Sequence, residues 1–401
     1  MELRISPQEL RARRGRVLAQ LAEKDLAGMI LFSPTSIFYL TGFVFIPTER
    51  PLAVILLGDG RVVGFVPRLE SEHLLGTADA EAVRTYPDYP GETHPMLLFG
   101  RYLKDLGLAG QAIAADAPGY GSGWGYTGPS LEEVFKEEAP GTTLTLLPRL
   151  VEEHRMVKSE REVALIRESA RWGNLALSLL QEYSKPGLTE TDISRRATGG
   201  ATEAMIRALG PGFEPKGGMI GLGAFADFRG QVGPNSALPH AICKNLRLKL
   251  GDVLGTGSCA PVWGYDSELE RTMFVGPPSR EQRQFFDLMR EMQEAAFSAI
   301  RPGRPCSDVD QATRAVVDKH GLGDYWRHHT GHALGVVAHE APFFDVGDHT
   351  ILRPGMVFSV EPGLYVPGLG GFRHSDTVVV TESGVDLITY YPRDLESLIC
   401  G

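Results

Sequence analysis

His328-His-Thr-Gly-His332-Ala-Leu-Gly-Val-Val-Ala-His339-Glu-Ala-Pro342 is the stretch whose reading decides the fold. Five of the eleven histidines (His320, His328, His329, His332 and His339) fall within twenty residues here. Small residues flank His332, so the backbone can approach a ligand closely at that point. Strand alternation puts His332 and Leu334 on one face, and His339 would reach the same place from a following turn. A set of surface or core-satisfied histidines accounts for the clustering as well, so clustering alone does not decide.

Carboxylates supply the second signal. In Tyr265-Asp-Ser-Glu-Leu-Glu-Arg-Thr272 an extended backbone puts Asp266, Glu268 and Glu270 on one face. That is costly unless a cation or solvent answers them, and a solvated strand face is the plain alternative. Glu361 follows the apolar run Met356–Val360 and is expected at the end of a buried strand. There a carboxylate must be paired, hydrogen-bonded or functional. Asp376 stands in Phe372-Arg-His-Ser-Asp376. His240, after Pro239 in a polar loop, reads by itself as structural. Cys259 reads as an inert buried thiol or as a pocket wall.

Outward from these motifs, capping boxes mark helix starts at Ser6-Pro-Gln-Glu9 and Ser159-Glu-Arg-Glu162, with further starts at Thr189, Ser279 and Ser307. Pro302-Gly and Pro354-Gly read as turns. Short apolar runs occupy Gly28–Phe32, Ile37–Leu40 and Leu52–Leu57, the last turning through Gly58-Asp-Gly60 into Arg61–Val66 as a hairpin. Strand-like stretches follow at Gly217–Leu222, Leu248–Thr256, Met356–Val360 and Asp376–Thr381. The pattern predicts a smaller α/β domain over 1–154 and an α+β domain over 155–401.

Composition bounds the function. The 401 residues carry 40 Lys+Arg against 50 Asp+Glu, a formal charge of −10, with no basic tract, which disfavours nucleic acid as a partner. No apolar run has the length of a membrane span, and the first residues lack a signal-peptide layout. The four cysteines are scattered, without a C-x-x-C pair, so neither a zinc ribbon nor a disulfide framework is indicated. A soluble cytoplasmic enzyme, or a degenerate relative of one, is the expectation.

In this order the motifs resemble the pita-bread peptidase family: methionine aminopeptidase, prolidase, aminopeptidase P and the non-peptidase creatinase. The matching pieces are Pro239-His-Ala, Gly264-Tyr-x-Ser-x-x-x-Arg-Thr272, Thr330-Gly-His-Ala-Leu-Gly335 with His339-Glu, Gly355-Met-Val-Phe-Ser-Val-Glu-Pro-Gly363, and Arg373-x-x-Asp376. The resemblance implies a C-terminal pita-bread fold of two pseudo-symmetric α+β halves, a smaller α/β N-terminal domain, and a homodimer. The peptidases hold two metals with two Asp, one His and two Glu. By the resemblance these positions fall on Gly257, Glu268, His332, Glu361 and Ser375, so the set is degenerate. Two ions need several anionic ligands, so no dinuclear centre is expected; a single divalent ion on Glu268, His332 and Glu361 is the open case.

The creatinase branch cleaves a C–N bond without metal, and its resemblance implies roles for His240, Glu270 and Glu361. It also implies that Arg50, beside Pro51, binds substrate. Asp266 stands where creatinase has a tyrosine, and no second carboxylate-binding arginine follows His339. The leading expectation is therefore a metal-independent hydrolase of a small amino-acid-like or short-peptide substrate. In it His240 moves the proton, Glu270 and Glu361 bind an amine or orient a histidine, and His332 and His339 donate to developing charge. Tyr265 and Arg373 are the remaining expected substrate contacts. The alternatives are a single-ion Xaa-Pro peptidase and a non-catalytic binding protein on the same scaffold.

Overall fold

The computed structural model describes residues 3–121, 125–216 and 223–401; the stretch 217–222, read above as strand-like, lies outside them. Ile5–Arg155 forms one compact unit and Met156–Gly401 the bulk of another.

The first unit is a six-stranded mixed sheet in the order Ala82–Tyr86, Val62–Pro67, Ala53–Leu57, Gly28–Leu31, Ala112–Ala115, Thr143–Leu146. The Ser6 side chain accepts from Glu9 N at 3.1 Å and opens helix Pro7–Ala22. In the hairpin Leu56 faces Val62, with Gly60 at a φ of 95° that its lack of a Cβ permits. Ile37–Leu40, apolar throughout, is helical: Ser33 caps Pro34–Thr41 and left-handed Gly42 closes it. A short apolar run does not distinguish helix from strand, and here the flanking cap and stop decide.

The second unit runs helix, helix, strands twice. Helices Glu160–Tyr183 and Glu190–Leu209 precede strands Phe225–Asp227, Val253–Cys259 and Leu269–Val275. Helices Arg280–Ala299 and Cys306–His320 precede strands Gly331–Ala333, Glu340–Phe344, Val357–Val360 and Ser375–Val380. Capping boxes form at Ser159/Glu162 and Ser279/Gln282, and Thr189 caps the second helix. The predicted start at Ser307 is a correction, because the helix begins at Cys306 after Pro305. Asp310, the anticipated capping partner, instead accepts from the Thr330 N–H at 3.0 Å and its hydroxyl at 2.7 Å. The strand expected from Leu248 starts at Val253, since Lys249 and Asp252 close a turn by a 2.7 Å bond.

One strand joins the halves. Ser375–Val380 pairs antiparallel with Val357–Val360 on one side and with Leu269–Val275 on the other. Behind this seam Arg271 and Asp376 form a fully buried pair at 2.8 Å. Arg271 also donates to the Ser375 carbonyl at 3.0 Å, and Gln293 donates to the second Asp376 oxygen at 3.0 Å. These bonds fix the register that brings Glu270 beside Ser375. No helix among the described residues is long and apolar enough to cross a membrane.

Candidate active site

Four strand ends deliver the site. Glu361 follows Val357–Val360, and its N–H donates to the Thr330 carbonyl at 2.8 Å, which holds it beside the His332 strand. His332 Nδ1 lies 3.1 Å from the Ala333 carbonyl. A carbonyl only accepts, so Nδ1 carries the hydrogen and Nε2 faces the acidic groups. Nε2 is 3.0 Å from Glu361 Oε1 and 3.7 Å from Glu268 Oε2. The other Glu268 oxygen accepts from the Ser375 hydroxyl at 2.6 Å. Glu270 accepts from Arg229 at 2.8 Å and from Arg373 Nε. Arg373 also donates to the Tyr365 hydroxyl at 3.0 Å, which meets His328 Nε2 at 2.8 Å.

His339 lies in the turn beyond the His332 strand and stacks on the His332 ring, centroids 3.6 Å apart. Two overlapping groups bring potential metal-ligand atoms within 4.8 Å of one another: Glu268, His332 and His339, and Glu268, Glu270 and Glu361.

The electrostatics follow from burial and pairing. Burial works to lower His332, but the bond to Glu361 and the charges of Glu268 and Glu361 outweigh it and raise the imidazole well above its usual range. Burial likewise works to raise Glu361, and His332, Arg373 and His328 overcome it and hold the carboxylate low. Glu268 has less compensation, so burial and then the charges of Glu361 and Glu270 push it up. Burial, and then the His332 charge, lower His339.

Beside the cluster lies a cavity of about 150 Å³, lined among others by Phe225, Asp227, Cys259, Asp266, Glu268 and Leu334. Burial raises Asp266 to about 7 and pushes the Cys259 thiol well up, which argues against a Cys259 thiolate. Asp227 rises from 3.8 to about 6 through burial, with Arg229 opposing and Glu270 and Glu190 adding. The fold therefore prefers its protonated form: the associated stability is complete below about pH 4 and is lost as pH rises through 6. Asp227→Asn, which cannot ionise, should gain on the wild type by several degrees in Tm between pH 4.5 and 8, within a ceiling of about 3 kcal/mol. Thermal melts at the two pH values check this; parallel curves would show that Asp227 titrates normally.

The structure brings together Glu268, Glu270, His332, His339, Glu361 and Arg373. Two expected residues of the same unit stand apart from the cluster. Tyr265 is buried and its hydroxyl donates to Glu162 Oε1 at 2.8 Å, so it braces a helix start instead of facing a ligand. His240 is exposed beyond the turn Gly233–Ala237, and among the described residues no hydrogen bond or ion pair joins it to the cluster. Arg50 belongs to the first unit, where it bonds Asp88 at 2.7 Å and Glu49. Arg229, Tyr365 and Asp227 were not singled out from the sequence. No motif marks them, and a left-handed Arg229 (φ 47°) is visible only in the backbone.

A sheet assembled from two helix–helix–strand halves, with carboxylates and histidines converging where the halves join, is the pita-bread hydrolase architecture. The chain belongs to metallopeptidase family M24, whose model matches residues 164–382; a creatinase/prolidase N-terminal domain matches residues 13–157. "Probable dipeptidase PepE" of Mycobacterium bovis is 31% identical over 380 residues, covering 94% of this chain and 93% of that protein. Among solved structures, dipeptidase PepE from Mycobacterium ulcerans matches with 28% identity and a TM-score of 0.78, covering 98% of each chain. Recombinant prolidase from Thermococcus sibiricus matches with 27% identity and a TM-score of 0.79, covering 96% of this chain and 97% of that one. The chain is thus a hydrolase of the Xaa-Pro peptidase type.

Proposed function

We propose that this chain hydrolyses the amide bond of a dipeptide or short peptide at the Glu268–His332–Glu361 cluster, with one divalent ion and not two. The orientation of His332 carries this reading. Its Nδ1 is spent on Ala333, which leaves the buried Nε2 facing Glu361 at 3.0 Å and Glu268 at 3.7 Å. Once it gives up its proton, Nε2 points a lone pair between two carboxylates, and one imidazole with two carboxylates is a sound open donor set.

A second ion lacks free donors among the described residues. Gly257 offers no side chain, and the neutral Ser375 hydroxyl is already given to Glu268. Glu270 pairs in register with both positions, Gly257 on one neighbouring strand and Ser375 on the other. Its carboxylate is taken by the guanidinium groups of Arg229 and Arg373, beside which a second dication would be repelled.

When bound, a divalent ion would polarise the scissile carbonyl and acidify a water. His339, exposed and shifted down, is neutral at pH 7 and able to move a proton beside the cluster. It takes the acid–base role that the creatinase resemblance implied for His240. Arg373 holds Glu270 and Tyr365 in place. One observation favours a second reading, hydrolysis without any ion. The three glutamates are balanced by Arg229, Arg373 and a protonated His332, which would then donate to the developing oxyanion.

The test is metal stoichiometry after incubation with Mn²⁺, Co²⁺ or Zn²⁺ and desalting, together with turnover on a dipeptide panel. About one ion per chain and ion-dependent hydrolysis are expected. Two ions would overturn the one-ion site, turnover with none would leave the ion-free mechanism, and no turnover in either state would sink the peptidase reading.

A further inference from the structure

We propose that the cavity beside the cluster is a subsite for a cationic side chain of the substrate, a lysyl, ornithyl or arginyl residue adjoining the cleaved bond. The proposal rests on the peptidase reading and adds the substrate class to it.

The cavity has the right size and the right walls. Its volume of about 150 Å³ is about that in which an apolar pocket holds one benzene-sized group. Phe225, Leu334 and Ala338 form an apolar lining along which a methylene stem can pack. Glu268 and Glu270 line the same cavity, so it opens onto the cluster where the amide would be cleaved. A residue whose carbonyl sits at Glu268 can place its side chain here.

What makes the cavity select a cation is a shortage of donors among the described residues. Asp227 Oδ1 and Asp266 Oδ1 are both buried and have no hydrogen-bond partner among the described residues. Neither aspartate forms an ion pair with any described residue. The cavity's one cationic side chain among the described residues, Arg229, gives its guanidinium to Glu270 at 2.8 Å. Residues 217–222, Gly-Gly-Met-Ile-Gly-Leu, carry no ionisable side chain that could answer the pair. A buried carboxylate oxygen without a donor is unfavourable, and an ammonium or guanidinium group supplies the missing donors as charge-assisted bonds. Neither Asp227 nor Asp266 belongs to a converging set of metal-ligand atoms among the described residues, so an organic cation suits the cavity better than a metal ion.

Matched substrates test this. Norleucyl-proline keeps the four side-chain carbons of lysyl-proline and lacks only the terminal ammonium. The wild type should favour lysyl-proline in kcat/KM by about tenfold or more. Asp266→Asn and Asp227→Asn should each bring that ratio toward unity, with thermal melts confirming that the variants fold. A wild-type ratio at or below one, with both peptides cleaved, would overturn the subsite and leave the peptidase reading standing. If neither peptide is cleaved, the peptidase reading is the one at fault, and calorimetry with n-butylammonium against n-butanol decides the cavity. Tighter binding of the ammonium, lost in Asp266→Asn, supports the subsite; equal binding, or none, overturns it.

Discussion

Glu361→Gln is expected to lower kcat/KM on dipeptides by about 10³-fold and to abolish ion retention, while His240→Ala costs less than about tenfold. Gln keeps the volume and one carbonyl oxygen of Glu361 but removes the charge. The loss is large because Glu361 serves two neighbours at once. It lies 3.0 Å from His332 Nε2 and 3.8 Å from Arg373 Nε. Without its charge His332 loses the stronger of its two carboxylate neighbours, and the proposed three-donor site falls to two. His240 is exposed and contacts none of these groups among the described residues. Steady-state kinetics with ion analysis of each variant would check the contrast. Equal losses at His240 and Glu361 would return the proton-moving role to His240.

Asp376→Ala is expected to destabilise the protein by about 3–5 kcal/mol, a fall in Tm of roughly 10 °C or more. Asp376 accepts from Arg271 and the Thr389 hydroxyl at 2.8 Å each and from Gln293 at 3.0 Å. Removing it leaves the Arg271 guanidinium buried without a counter-charge, which is the costly half of a buried pair. Arg271 keeps its bonds to the Pro392, Tyr391 and Ser375 carbonyls, so the strand seam loosens before it separates. Asp376→Asn, which retains an acceptor, should cost less than the alanine variant. Denaturant unfolding of the three proteins measures the difference, and a loss below about 1 kcal/mol for Asp376→Ala would show that Arg271 is satisfied by carbonyls alone.

The parts of the fold legible in the sequence are those governed by neighbours a few residues apart. Ser6, Ser159 and Ser279 cap their helices because the accepting side chain and the donating N–H are three positions apart. The Gly58-Asp-Gly60 hairpin and the strand ending at Glu361 are equally local. Ser307 misled because the local pattern was complete but Asp310 was claimed by Thr330, twenty residues away in sequence. Ile37–Leu40 was open on the run alone, which carries no period, and its flanks decide.

For the site, the sequence by itself determined the donor types. Glu268 and Glu270 share a strand face by spacing, His332 and His339 stand out by clustering, and Glu361 by its place after an apolar run, while Gly257 and Ser375 draw notice only through the family resemblance. Only the tertiary structure decided how these residues are partnered. The register that sets Glu270 between Gly257 and Ser375 joins residues 13 and 105 positions apart. The guanidinium groups that claim Glu270 come from Arg229 and Arg373, again far along the chain. Backbone pairing of this kind depends on the whole sheet, and no short window encodes it. The same holds for the two aspartate oxygens of the cavity that have no partner among the described residues: whether a carboxylate is solvated or left without a donor is a property of everything packed around it.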